Sequence, residues 1–505
     1  MIEFIFKKES NKWYAIFAII GSILQLTIFK YLYPFASFIN GDSYSYLETA
    51  YHNLPINTYP IGYSMFLRFF SIFTKSDTIL VAFQYFLVQL SLQAFIFTLF
   101  HYYKPSPITK ISLFTFTLFN PAILYLSNYI SSDAFFLALS IIWFTQLFWI
   151  INAPSKRLIF INAIILFVAF TVRYNALFYP IIAIIAIFQG KQKTGLKIGG
   201  LSLSFLLIGA FILYNIDQYN KLTGHRQFTP FTGWQTANNA LYAYRFVDSA
   251  HLKKVPVRFF QLDKMVRNYF DSTKDYKKHP QETLIASTVY MWAPNSPLNL
   301  YMERQFKKDS GTNALKKWAT VAPFLSEYGS VIIRYYPKEY LKYYIIPNII
   351  KYYAPPIEFL SQYSTGVDSV SPIASVWFNY KTNKLKTRVK DYKVEILNFY
   401  PILTGTMNIV LLFCLLSFFL LKGVVKSPRL KHGMLLVIAL WIVNFGFSVI
   451  AAPIALRFQL FPILVSFSFT FFLLEFLIKS AFESESINNG APEEINRIKN
   501  DSVIV

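Results

Sequence analysis

TILVAFQYFLVQLSLQAFIFTLFHY, residues 78 to 102, runs for 25 residues without one Asp, Glu, Lys or Arg. Coiled as a helix it rises roughly 38 Å, more than the roughly 30 Å of hydrocarbon in a bilayer. Outward from it in both directions lie further apolar runs, at about 13–33, 111–130, 134–151, 158–171, 176–189, 196–215, 402–421, 433–450 and 454–478. The sequence therefore predicts a predominantly α-helical integral membrane protein with about ten transmembrane helices. The runs at 158–171 and 176–189 are short, and one broken helix or a re-entrant pair accounts for them equally well. Composition agrees with the bilayer. Of 505 residues, 54% are hydrophobic, 19% aromatic and only 15% charged, a balance foreign to soluble domains.

The formal net charge of +22 raises nucleic acid as a partner. The basic residues, however, lie mainly in short loops between apolar runs and in one larger polar region, which argues for no nucleic acid. Cys414 is the only cysteine, so neither an intramolecular disulfide nor a cysteine metal site is possible. Lys7, Lys8 and Lys12 precede the first run, and no small-residue cleavage site follows it, so it reads as a retained anchor.

Loop charges set an orientation, because Lys and Arg near span ends favour the cytoplasmic side. Lys104 and Lys110, Lys156 and Arg157, Lys191, Lys193 and Lys197, and Lys422, Lys426, Arg429 and Lys431 alternate onto the face of the amino terminus. Both termini are then cytoplasmic, and the protein is multi-pass in the plasma (inner) membrane. The domain plan follows: an amino-terminal transmembrane part, 1–215, with a first outer loop at 34–77; an extracytoplasmic domain of mixed, mainly helical structure, 216–400; carboxy-terminal transmembrane helices, 401–480; and a solvated tail, 481–505. Within the outer domain, Val331–Tyr353 interleaves aromatic and aliphatic residues with Lys and is broken by Pro337 and Pro347, a pattern suited to the headgroup layer. No internal repeat is visible.

The first outer loop carries INGDSYSYLETAYHNLPINTYPIGYSMF, Ile39 to Phe66. Ser45 and Glu48 fit the S-x-x-E capping box, which starts a helix near Ser45 with Asp42 just ahead of it. As a turn or cap residue Asp42 is explained by the helix dipole alone. The same topology brings three more ionisable groups to that face: Asp133 in NYISSDAFFLALS, Arg173 in FTVRYNALFYP, and Arg457 in AAPIALRFQLFPIL, about one turn inside the last span. Singly, Asp133 is accounted for as a helix cap, Arg173 as a snorkelling cation and Arg457 as a helix anchor. Together, two acids and two bases at one membrane surface are costly and mark a site. Transfer of a sugar from a polyprenyl phosphate needs such a set: a carboxylate to take the proton of the acceptor hydroxyl, and cations for the departing phosphate. Arg suits the second task through its fixed fork of donors.

GDSYSYLETA with NTYPIGYSMFLRFF, NPAILYLSNYISSDAFFLAL, AFTVRYNALFYP, TGHRQFTPFTGWQTANNALYAY and APIALRFQLFPIL together resemble the GT-C superfamily of polytopic glycosyltransferases, which includes the protein O-mannosyltransferases and the lipid A aminoarabinose transferase. The resemblance implies an inverting enzyme that uses a polyprenyl-phosphate sugar donor and a lipid, glycan or protein acceptor. It places the catalytic acids on Asp42, as general base, and on Asp133. By the same similarity Arg173 and Arg457 face the donor phosphate. The sequence departs from the commonest pattern in having Asp42-Ser43-Tyr44 where several members carry two near-adjacent acids, and no motif supports a metal or other cofactor.

Substrate contacts are expected from Trp234, Gln235 and Asn239 in FTPFTGWQTANNALYAYRF, where polar groups and rings suit a sugar. An extended loop packed on the membrane domain is the plainer account of that stretch. Tyr59 and Tyr63, beside Pro60, are expected at the site or else in an interfacial aromatic belt. Two other function classes fit a polytopic chain: a transporter or lipid flippase, whose binding groups belong near the bilayer midplane, and a non-catalytic scaffold of envelope assembly.

Overall fold

The computed structural model describes residues 2–488 except Lys8, Ser310, Lys390 and Ala452. The last part of the expected tail, from 489 on, lies outside the described residues, as does the middle of the expected turn at 451–453. Helix dominates the described residues. Among the described residues there is no β-strand, only three isolated bridges, so the mixed structure expected for 216–400 is helix and irregular coil instead.

Eight helices among the described residues are long and apolar enough to cross a membrane. They include Glu9–Leu32, Asp77–Tyr103, Ser132–Asn152, Thr194–Thr223, Tyr400–Leu420, Pro428–Ala451 and Leu456–Asn488. The two short runs become a broken pair: Lys156–Val172, then a tight turn at Tyr174–Phe178, then Tyr179–Gln189. Their break lies at Arg173, whose extended backbone ends the first helix.

The expected span 111–130 is also interrupted. Pro107–Leu118 stops, Asn120 caps the next turn by accepting from the Ala122 N–H, and Pro121 opens Pro121–Asn128. A helix end inside an apolar layer leaves carbonyls without partners. Here the Leu118 carbonyl accepts from both Gln25 Nε2 and Gln89 Nε2. Gln84 does the same for the following end, donating to the Ser127 and Tyr129 carbonyls while accepting from the Tyr63 hydroxyl.

Two large hydrophobic cores result, beside four smaller clusters. The larger is built from the apolar helices together with Leu360, Val370, Trp377, Phe378, Leu385 and Leu397 of the polar region. The second lies wholly within residues 234–344, with Trp234, Leu262, Tyr290, Leu298, Leu325 and Tyr328 inside it. The 216–400 region is thus not one body: its start still belongs to Thr194–Thr223, and its last part packs on the apolar helices. Inside the second core, Phe231–Tyr244 crosses Ala314–Tyr335 with backbones nearly touching. A Cβ at Gly233 would collide with the Ala322 carbonyl, and one at Gly329 with the Thr236–Ala237 peptide.

Candidate functional site

Two loops that precede helices are stitched together by a short parallel bridge. The Ser37 N–H donates to the Asn128 carbonyl and the Ile130 N–H to the Ser37 carbonyl, both at 2.9 Å. Asn128 Nδ2 adds a 2.8 Å bond to Ser37 Oγ. Each side of this stitch then turns into a helix, Asp42–His52 on one side and Ser132–Asn152 on the other. Gly41, at φ 88°, makes the first of these turns in a conformation closed to most side chains. Asp42 is therefore the first residue of its helix and Asp133 the second of its own, both at the positive end of a helix dipole. This corrects the expected start near Ser45: Glu48 forms no capping box, and Ser43 Oγ instead accepts from the Ile39 N–H.

The cations arrive from the other half of the chain. Leu456 is held by a 2.8 Å bond from its N–H to the Pro356 carbonyl, which starts the last helix there and makes Arg457 its second residue. That lies nearer the helix end than the turn-deep position expected. A guanidinium at a helix N-terminus opposes the dipole, and the two carboxylates offset it. Arg457 Nη1 donates to Asp42 Oδ2 at 2.9 Å and to Asp133 Oδ2 at 3.2 Å. Arg173 Nη1 donates to Asp133 Oδ1. Ser131 Oγ gives Asp133 a third bond at 2.9 Å, and the Tyr59 hydroxyl donates to Asp42 Oδ1 at 2.6 Å. The result is one chain of contacts, Tyr59–Asp42–Arg457–Asp133–Arg173. Side-chain exposure falls from 19% at Asp42 to 6% at Arg457 and 2% at Asp133, then returns to 18% at Arg173.

The two guanidinium groups flank one ring: Phe458 lies 4.3 Å from Arg457 and 4.6 Å from Arg173. Phe359 covers Arg457 at 4.4 Å. Each arginine uses only Nη1 on the carboxylates, so most of its donor fork is uncommitted among the described residues; Arg457 Nε is buried without a partner. Asp133, Arg173 and Arg457 line a cleft together with Ile182 from Tyr179–Gln189, Leu440, Val443, Asn444 and Phe447 from Pro428–Ala451, and Phe461 from the last helix; Asp42 and Tyr59 are not among its lining residues. Burial and the neighbouring Asp42 charge push the Tyr59 phenol well above its ordinary value, so it stays a neutral donor.

The other expected residues serve the scaffold. Tyr63 is fully buried with its hydroxyl on Gln84. Phe228–Phe246 is mostly helix rather than an extended loop, and Trp234 stacks 5.5 Å from Trp318 and donates its Nε1–H to the Trp318 carbonyl, inside the second core. Gln235 Nε2 donates to Asn239 Oδ1, and Asn239 Nδ2 reaches the Ile450 carbonyl at 3.4 Å, so this pair joins the second core to the end of Pro428–Ala451. None of these four lines the cleft.

Residues missed in the sequence are Ser131, Tyr46, Phe359, Phe458 and Glu358. The Tyr46 hydroxyl pairs with Ser132 Oγ at 2.9 Å and ties the two acidic helix starts together. Ser131 and Ser132 directly precede Asp133 and were legible as cap residues; nothing in IEFLSQY signals that Phe359 reaches Arg457. Glu358 lies beside it with a left-handed backbone, φ 39°. Burial pushes its carboxyl up, against the opposing pull of Lys351 and Arg457. Among the described residues no three His, Cys, Asp or Glu side chains gather into a group that could hold a metal. Compared with known proteins, the chain matches no family model, no curated protein and no solved structure.

Proposed function

We propose that this protein is an inverting glycosyltransferase of the GT-C kind, which moves a sugar from a polyprenyl-phosphate donor to an acceptor hydroxyl at the extracytoplasmic face of the plasma membrane. The observation that carries this reading is the alternating acid–base chain, three of whose members, Arg457, Asp133 and Arg173, line a largely apolar cleft. A lipid phosphate needs both halves at once: guanidinium donors for the headgroup and an apolar channel for the chain. Arg173 and Arg457 retain donors for an anion after binding their carboxylates.

In this reading the acceptor oxygen attacks the anomeric carbon from the side opposite the phosphate. Its proton passes to Asp42, the carbon–oxygen bond to phosphate breaks, and the leaving group keeps the electron pair and gathers the free N–H groups of the two arginines. Asp133, bonded to both guanidinium groups, positions them rather than exchanging protons itself. Tyr59 orients the base. A transporter would place its charges near the bilayer midplane; here Asp133 and Arg457 stand in the first two residues of candidate spans, at an end of each, which favours surface chemistry.

Mass spectrometry of lipids co-purified with the detergent-extracted protein tests the donor. A polyprenyl phosphate or its glycoside is expected, and weaker retention in Arg173→Ala and Arg457→Met. Asp42→Asn is expected to abolish sugar transfer in membranes while expression and melting behaviour persist. Unchanged transfer by Asp42→Asn refutes the base assignment.

A further inference from the structure

Asp42 faces two ways. Its Oδ2 accepts from Arg457, which lines the cleft, whereas its Oδ1 accepts from Tyr59. Beyond Tyr59 lies a set of rings from the second core. Tyr59 is 6.3 Å from both Phe231 and Trp292, and Phe231 and Trp292 are 6.0 Å apart. Trp292 lies nearly parallel to Trp318, at 9°, and Trp318 in turn to Trp234, at 10°. The inner indoles of this row are buried, but Trp292 at its end is 43% exposed.

That exposure is held in place by built contacts. Asn299 Nδ2 donates to the carbonyls of Met291 and Ala293, on either side of Trp292, at 3.0 Å each. Asn238 Oδ1 accepts from the Met291 N–H at 3.2 Å. A large open indole fixed this firmly, one residue away from a hydroxyl on the proposed base, is a platform rather than a surface accident.

Resting on the transferase reading above, we infer that the acceptor is a saccharide, bound with one sugar ring against Trp292 and Phe231 and its reacting hydroxyl directed past Tyr59 to Asp42. Pyranose rings present a C–H face that packs on an aromatic face, with hydroxyls at the edge for polar partners. A lipid acceptor calls for an apolar channel, and the cleft at this site is lined by Arg457 but not by Asp42, Tyr59 or Trp292.

The full-length protein in lipid nanodiscs, applied to an array of immobilised oligosaccharides, Ser/Thr-rich peptides and glycolipids, tests this. At least one oligosaccharide is expected to be retained. Trp292→Ala should weaken that binding about tenfold, the effect of losing roughly 1.4 kcal/mol, whereas Trp292→Phe should retain most of it. If Trp292→Ala does not accumulate, Trp292→Leu keeps bulk against Trp318 without an aromatic face and is expected to lose the same binding. Retention of peptides or lipids alone, no saccharide binding, or binding indifferent to loss of the aromatic face overturns the inference. Co-purified lipid separates it from the donor reading. Polyprenyl phosphate present with no saccharide bound defeats only the acceptor inference, and saccharide bound with no such lipid defeats the donor instead.

Discussion

Arg457→Met removes the central cation of the Tyr59–Asp42–Arg457–Asp133–Arg173 chain while keeping a side chain of similar reach. Asp133 is 2% exposed and loses one of its two guanidinium partners; Asp42, at 19%, keeps Tyr59 and some water. Breaking a buried ion pair by deleting one member costs about 3–5 kcal/mol, because the other charge is left uncompensated. Since Arg173 and Ser131 still serve Asp133, the expected loss is at the lower end, about 3 kcal/mol. Asp133→Asn in the Arg457→Met background should then cost much less than in the wild type, with a coupling of about 1–3 kcal/mol. Equilibrium unfolding in mixed micelles, run on the wild type, both single variants and the double variant, measures each quantity. An Arg457→Met protein within about 0.5 kcal/mol of wild type, or strict additivity in the double variant, would refute the claim that these charges hold one another.

Tyr59→Phe should fold and lower transfer about tenfold, read as a fall in kcat with KM for donor unchanged, since its hydroxyl touches only the base. The Tyr59 phenol is raised by burial and the Asp42 charge, so its stabilising contribution is complete below about pH 10, the ordinary phenol value, and is lost as pH climbs through the raised one. The melting temperatures of wild type and Tyr59→Phe should therefore differ most below pH 10 and converge above it. Glu358→Gln should raise the melting temperature at pH 7 and not at pH 4: burial favours the neutral acid, so the fold gains from Glu358 below the usual carboxylate pKa and loses that gain as pH rises through the raised value. Gly233→Val should prevent the close crossing at Ala322 and scatter the second core, seen as loss of near-ultraviolet circular dichroism and new protease sites within 231–344.

The apolar helices were legible because hydrocarbon thickness fixes their length, and 25 uncharged residues at 78–102 admit little else. The four charged groups were legible for a related reason: an ionisable side chain at the end of an apolar run is costly unless something balances it. What the sequence did not carry was distance across the chain. Arg457 meets Asp42 over more than four hundred residues, and Trp292 lies beside Tyr59 across more than two hundred residues. Trp234, Gln235 and Asn239 looked like sugar contacts because the same residue types that suit a carbohydrate also suit a buried joint between two cores. The start of Asp42–His52 was misplaced by three residues because Gly41 turns the chain before the capping box can act.

The stitch between Ser37 and Tyr129 makes loop length an operating quantity of this protein. Four residues separate Ser37 from Asp42 and three separate Tyr129 from Asp133. Adding or deleting one residue in either segment would swing the following helix by roughly a quarter turn and carry its carboxylate off Arg457.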